Sequence, residues 1–178
     1  MLDEKRIKEA KSNVERYLRD NMLKRVSVKE PAIMKILMNN CKESLNVAEF
    51  IFNNRVSNLW TIVSSYYAMY YIANAVLYQF SYKLGHEVSH KVTADALIAY
   101  IRGKLKESFI EDYEEAKEEA LELSGNKADM LLEEFDFERE KRSKFQYSTS
   151  EIALRSKAAT SLERAKRFVF EMEKLLVG

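Results

Sequence analysis

The chain has 178 residues, with 29 Lys and Arg against 28 Asp and Glu, one Pro, four Gly and a single Cys. That length suits one domain able to bury a real core, and so few turn-forming residues beside so many charges exclude a β-rich or disordered chain. The net charge of +1 assigns no partner by itself, and the lone Cys41 excludes an intrachain disulfide, as suits a reducing compartment.

Along the chain, Asp3–Lys24 carries Ile7, Ala10, Val14, Tyr17, Leu18 and Met22 at spacings of three and four, which predicts an amphipathic helix. Its start, MLDEKRIKEAK, lacks the apolar core of a signal peptide, so a cytoplasmic location is expected. Ser27–Pro31 breaks the pattern, and Pro31 suits the first turn of a second helix over Glu30–Phe52, with Cys41 on its apolar stripe as a buried thiol. Ser57 then stands as N-cap of SNLWTIVSSYYAMYYIANAVLYQFSY, a stretch apolar or aromatic almost all round. A helix of that length reaches about 39 Å, enough to cross a bilayer. Tyr66, Tyr67, Tyr70 and Tyr71 fall in its middle, however, where a spanning helix does not place phenols. It therefore reads as the buried helix of a bundle, with its tyrosines as packing rather than base-stacking surfaces and no membrane involved.

A polar turn around Gly85 leads to a helix over His90–Arg102, with Ser89 as candidate cap. Lys104–Leu123 is again amphipathic, its other face acidic and read as solvated surface, and Ser124-Gly125-Asn126 reads as a turn. A further helix through Leu131 and Phe135 runs into a basic stretch, and Ser148-x-x-Glu151 reads as a capping box opening the last helix, which ends near Leu176. No strand pattern is visible. The expected fold is all-α: an antiparallel up-and-down helical bundle forming one domain over 1–178.

Two motifs invite chemistry. His86-Glu87-Val88-Ser89-His90 matches H-E-x-x-H, in which two His on one helical face hold zinc and the Glu polarises water. That chemistry needs a helix through all five residues and a third ligand such as Glu107 or Glu111. The capping signals place the motif across a turn instead, so no metal site is expected and a zinc peptidase is the weakest alternative. The second motif is Arg139-Glu140-Lys141-Arg142-Ser143-Lys144-Phe145-Gln146-Tyr147. Arg142 falls on the inward stripe after Leu131 and Phe135, with Arg139 one turn earlier. A guanidinium there needs a carboxylate, helix-end carbonyls or a phosphate. Beside Lys141 and Lys144, and with Tyr147 close in sequence, the pair Arg139 and Arg142 fits a phosphate-facing role.

The order of elements, from Tyr66–Met69 (YYAM) through Ser89-His90-Lys91 to Arg142 followed five residues later by Tyr147, resembles the HEPN family of small helical bundles over about Ile36–Leu176. On that resemblance residues 30–178 form the bundle and 1–29 an N-terminal helical extension, with the acidic helix as a second addition. The resemblance implies a homodimer, and many members are metal-independent RNases built on an Arg-x4-6-His motif. Many are paired, in toxin–antitoxin fashion, with a nucleotidyltransferase that modifies a tyrosine near that motif. Here Tyr147 replaces the motif His, and a phenol titrating near 10 is a poor proton shuttle at neutral pH. The expectation is thus a binding or regulatory module contacting nucleotide or RNA phosphates, with Tyr147 as nucleotidylation acceptor and no cofactor. A divergent RNase using Arg142 and Tyr147 is the alternative.

Overall fold

In the computed structural model the tyrosine-rich stretch is the central helix of the bundle. The structure describes residues 2–85, 89–136 and 147–177, with the side chains of 126–136 and 147–153 excepted. The elements are α1 (Glu4–Arg19), β1 (Leu23–Arg25), α2 (Pro31–Asn53), α3 (Asn58–Gln79), β2 (Tyr82–Leu84), α4 (His90–Ala96), α5 (Glu107–Asp136) and α6 (Tyr147–Lys174). After α4 the chain continues through a π-helical turn, Leu97–Ile101, and a 3-10 turn, Arg102–Lys104. The fold is all-α, a helical bundle.

Helix α3 packs on α2, α4, α5 and α6. Ile62, Tyr66, Met69, Ile72, Val76 and Leu77 are all buried there. Each such side chain stabilises by roughly 1.5–3 kcal/mol, so α3 dominates the core. No helix among the described residues is long and apolar enough to cross a membrane. Ser57 caps α3 by accepting from the Trp60 N–H at 3.2 Å, and Ser89 caps α4 by accepting from the Val92 N–H at 3.3 Å. Pro31 sits in the first turn of α2, and Cys41 is buried.

Helix α1 is fastened by one buried carboxylate. Asp95 of α4, fully buried, accepts from Arg6 Nη1 at 2.6 Å, Asn13 Nδ2 at 3.0 Å and the Tyr17 hydroxyl at 2.9 Å. Arg6 also donates to Glu114 of α5 at 2.6 Å. The three donors lie on the face of α1 that also buries Ala10 and Val14.

Several sequence expectations change. The acidic face of α5 is not simply solvated: Asp112, Glu115 and Glu119 surround the nearly buried Arg164 of α6 at 3.4, 3.0 and 3.8 Å, and Glu111 accepts from the Leu2 N–H. No turn interrupts 124–126. Helix α5 runs straight through, with Ser124 Oγ donating to the Ala120 carbonyl at 2.7 Å, a local bond that a helix tolerates. A Cβ on Gly125 would meet nothing within 4 Å. Gly125→Ala should therefore stabilise the protein by about 1 kcal/mol, since alanine loses less backbone freedom on folding; a lower melting temperature would refute the continuous helix. Helix α6 begins at Tyr147, so Tyr147 is its first residue rather than part of a preceding turn, and Ser148 lies inside the helix. Finally, β1 and β2 form a short antiparallel ribbon pairing Leu23 with Leu84, Lys24 with Lys83 and Arg25 with Tyr82. Strands of three residues are too short to show alternation in the sequence.

Candidate functional site

His90 is the described polar residue that most resembles a working group. It opens α4, half-buried, and its ring lies 4.9 Å from Tyr70, 5.3 Å from Tyr66 and 5.9 Å from Tyr67. Residues 66 and 70 are one turn apart on α3, and 67 is beside them, so the helical repeat itself builds an aromatic seat. His90 Nδ1 lies 2.7 Å from the Tyr66 hydroxyl.

The protonation states follow from burial. Burial, and secondarily the charge of Lys117, lowers the His90 pKa below its ordinary 6.5, so the ring is neutral at pH 7. Burial raises the Tyr66 phenol, which keeps its proton. A neutral imidazole facing a phenol either accepts at Nδ1 and carries its own proton at Nε2, or donates from Nδ1 and leaves Nε2 free to accept. Tyr66 thus holds Nδ1 and orients the ring. Behind it Tyr113 of α5, fully buried, packs 5.9 Å from the Tyr66 ring, its hydroxyl close to that phenol but without hydrogen-bond geometry among the described residues. Burial pushes the Tyr113 phenol well up, and Tyr66 adds to the effect. The arrangement offers Nε2 as an N–H donor in the first tautomer and as a base in the second.

The remaining site expectations separate as follows. Arg139, Lys141, Arg142 and Lys144 lie outside the described residues, as does the side chain of Tyr147. The basic stretch joins α5, which ends at Asp136, to α6, which begins at Tyr147. His86 and Glu87 also lie outside the described residues. Ser89, within the H-E-x-x-H motif, is extended (φ −130°, ψ 102°), so the motif does not lie on one helix. Glu111, one of the carboxylates weighed as a third ligand, accepts from the Leu2 N–H at 2.7 Å. Among the described residues no group of three or more His, Cys, Asp or Glu could hold a metal ion. Tyr66 and Tyr70 are buried, which leaves no room for stacked bases and fits their reading as packing.

Sequence reading missed two joints. The link between Tyr66 and His90 spans 24 residues and has no local signal. Asp95 had one: a single carboxylate in VTADALIAY, otherwise free of charge, is a buried acid in search of donors. The role imagined for Arg142 as a structural arginine on helix-end carbonyls is taken elsewhere by Arg155, which donates to the Phe52 carbonyl at 2.8 Å at the end of α2 and lies 3.6 Å over the Phe52 ring.

Fold and site together define an all-helical bundle with a histidine seated on the tyrosines of its central helix. No family model matches the chain, and no curated protein matches it.

Proposed function

We propose that the chain is a HEPN-like binding or regulatory module that contacts nucleotide or RNA phosphates. Arg139 and Arg142, with Lys141 and Lys144, supply the cations, and the protein works as a homodimer beside a nucleotidyltransferase partner for which Tyr147 is the acceptor. The observation that supports this reading is the hydrogen bond between Tyr66 and His90. The YYAM helix and the Ser-His-Lys turn, two of the three motifs that carry the resemblance, form one unit in space although far apart in sequence. The third motif connects the two helices, α5 and α6, that flank α3.

Arg142→Ala tests the reading. A charge-assisted contact to phosphate contributes about 1.5–3 kcal/mol, so nucleotide or RNA affinity should fall by roughly 10- to 100-fold with the melting temperature nearly unchanged. Equal binding by mutant and wild type removes Arg142 from the site.

A ribonuclease reading is favoured by one observation, the neutral imidazole of His90. In the tautomer that donates from Nδ1 to Tyr66, Nε2 takes the proton of a ribose 2′-hydroxyl as that oxygen attacks the neighbouring phosphorus, and the 5′-oxygen leaves with a proton from water, with no metal required. Mixed RNA incubated with wild type, His90→Ala and Arg142→Ala proteins decides it. Cleavage by the wild type alone supports an enzyme; equal cleavage by all three is contamination.

A further inference from the structure

At the C-terminal end of α3, three unusual features meet. The first is charge. In the β1–β2 ribbon Lys24 stands directly opposite Lys83, a like-charge pair that destabilises an antiparallel ribbon. Arg25 and Lys83 are exposed, and Lys104 comes to the same place with Nζ 4.9 Å over the Phe80 ring. Lys29 joins them, its ammonium donating to the Gln79 carbonyl. None of these five cations pairs with a carboxylate among the described residues. Buried or half-buried arginines elsewhere do: Arg6 with Asp95 and Glu114, Arg164 with three acids of α5.

The second feature is aromatic. Tyr82 of β2 and Tyr100 stack face to face, with ring centroids 3.9 Å apart and planes within 11°, and both are half-exposed. Tyr100 is delivered by the π-helical turn Leu97–Ile101, a geometry that is rare and concentrates at functional sites. The charges of Arg25 and Glu15 both act on its phenol, in opposite directions. The third is backbone. Asn21 (φ 58°) and Ser81 (φ 69°), which precede the two strands, are left-handed without being glycine. Gly85 closes the ribbon where a Cβ would come within 2.6 Å of the Asn21 carbonyl oxygen. Strain of this kind, about 1–3 kcal/mol per residue, persists where the surrounding structure needs the shape.

Unpaired cations around a flat aromatic pair match one class of ligand best. We propose that the ribbon end of the bundle binds single-stranded nucleic acid, with Lys24, Arg25, Lys83 and Lys104 on the phosphates and the Tyr82–Tyr100 stack taking a base. An acidic protein or an anionic membrane would satisfy the cations but leave the half-exposed aromatic stack without a purpose, whereas every base has a π-face. A duplex keeps its bases stacked inside and satisfies only the charges. This surface shares no residue with Arg139–Tyr147, and its occupancy does not depend on the reading of Arg142.

The test is fluorescence anisotropy with a labelled 20-nucleotide oligouridine and its deoxythymidine counterpart. A 20-base-pair duplex and vesicles of phosphatidylglycerol and phosphatidylcholine serve as competitors. Wild type should bind the single strands, with the duplex and the vesicles competing weakly. The exposed Lys83→Glu should weaken binding by about tenfold or more, and Lys83→Ala should reduce the slope of log affinity against log salt by about 0.7. Tyr82→Leu, which keeps an apolar side chain in the ribbon, should weaken binding by about tenfold through loss of the platform. Circular dichroism and melting of each variant separate lost binding from lost folding. Wild-type affinity and salt slope in both Lys83 variants would overturn the proposal, as would duplex or vesicles competing as well as single strands. Arg142→Ala separates the two surfaces: if it abolishes binding while the Lys83 and Tyr82 variants bind normally, the ribbon is not the site and the reading of Arg142 stands.

Discussion

Asp95→Ala is expected to lower stability by about 3–5 kcal/mol, the cost of removing one partner from a buried ionic network. The carboxylate is fully buried and accepts from three side chains of α1, so its loss leaves Arg6 half-paired, the half-buried Asn13 amide without this acceptor and the buried Tyr17 hydroxyl unsatisfied. Urea unfolding should show the loss as a lower midpoint, with proteolysis opening first along α1. Asp95→Asn should cost less, because an amide oxygen still accepts from one donor and Arg6 keeps Glu114. A double-mutant cycle with Arg6→Ala isolates the pair; a coupling energy near zero would show that α1 is held by its apolar face alone. In most single domains a loss of this size is a large fraction of the total stability. The first helix is thus tied to the core through a charge, and its attachment is more sensitive to one residue than the apolar packing of α3 is.

What the sequence could disclose followed the physics of each signal. Helix α3 was legible because 26 residues without charge, Gly or Pro leave no alternative to burial, and the caps Ser57 and Ser89 were legible because capping is local. The supposed turn at 124–126 misled for the same local reason. Ser, Gly and Asn favour turns, but the apolar stripe of α5 up to Leu123 is packed and the helix continues through them. Long-range polar joints were invisible: nothing near Glu115 or Asp112 says that Arg164 lies across from them, and nothing near Tyr66 indicates His90. The ribbon escaped because three-residue strands carry no period, although its chemistry is simple once Lys24 and Lys83 are seen face to face. The basic stretch Arg139–Lys144 rests on sequence alone, since it lies outside the described residues.

Raising the pH should unfold the protein cooperatively above about pH 10, and the tyrosines will report it. Burial raises the phenols of Tyr66, Tyr70 and Tyr113, and it pushes Tyr17 and Tyr100 up to about 12, with Asp95 assisting at Tyr17. An unfolded phenol gives up its proton near pH 10. Between there and the raised folded values the unfolded chain binds fewer protons than the folded one, so stability is intact below about pH 10 and falls as pH climbs. Cys41, raised to about 12 by burial and then by the charge of Glu173, begins to contribute slightly earlier, near the ordinary thiol range. Absorbance at 295 nm should therefore rise in two parts: exposed phenols first, then a steep step coincident with loss of the helical circular dichroism signal. Tyr66→Phe and Tyr113→Phe each remove one buried phenol and should shift that step to higher pH, provided the rings still pack. Ten tyrosines titrating together near pH 10 with the helical signal intact would mean that the seat beneath His90 is open to water, and His90 would then have no reason to stay neutral at pH 7.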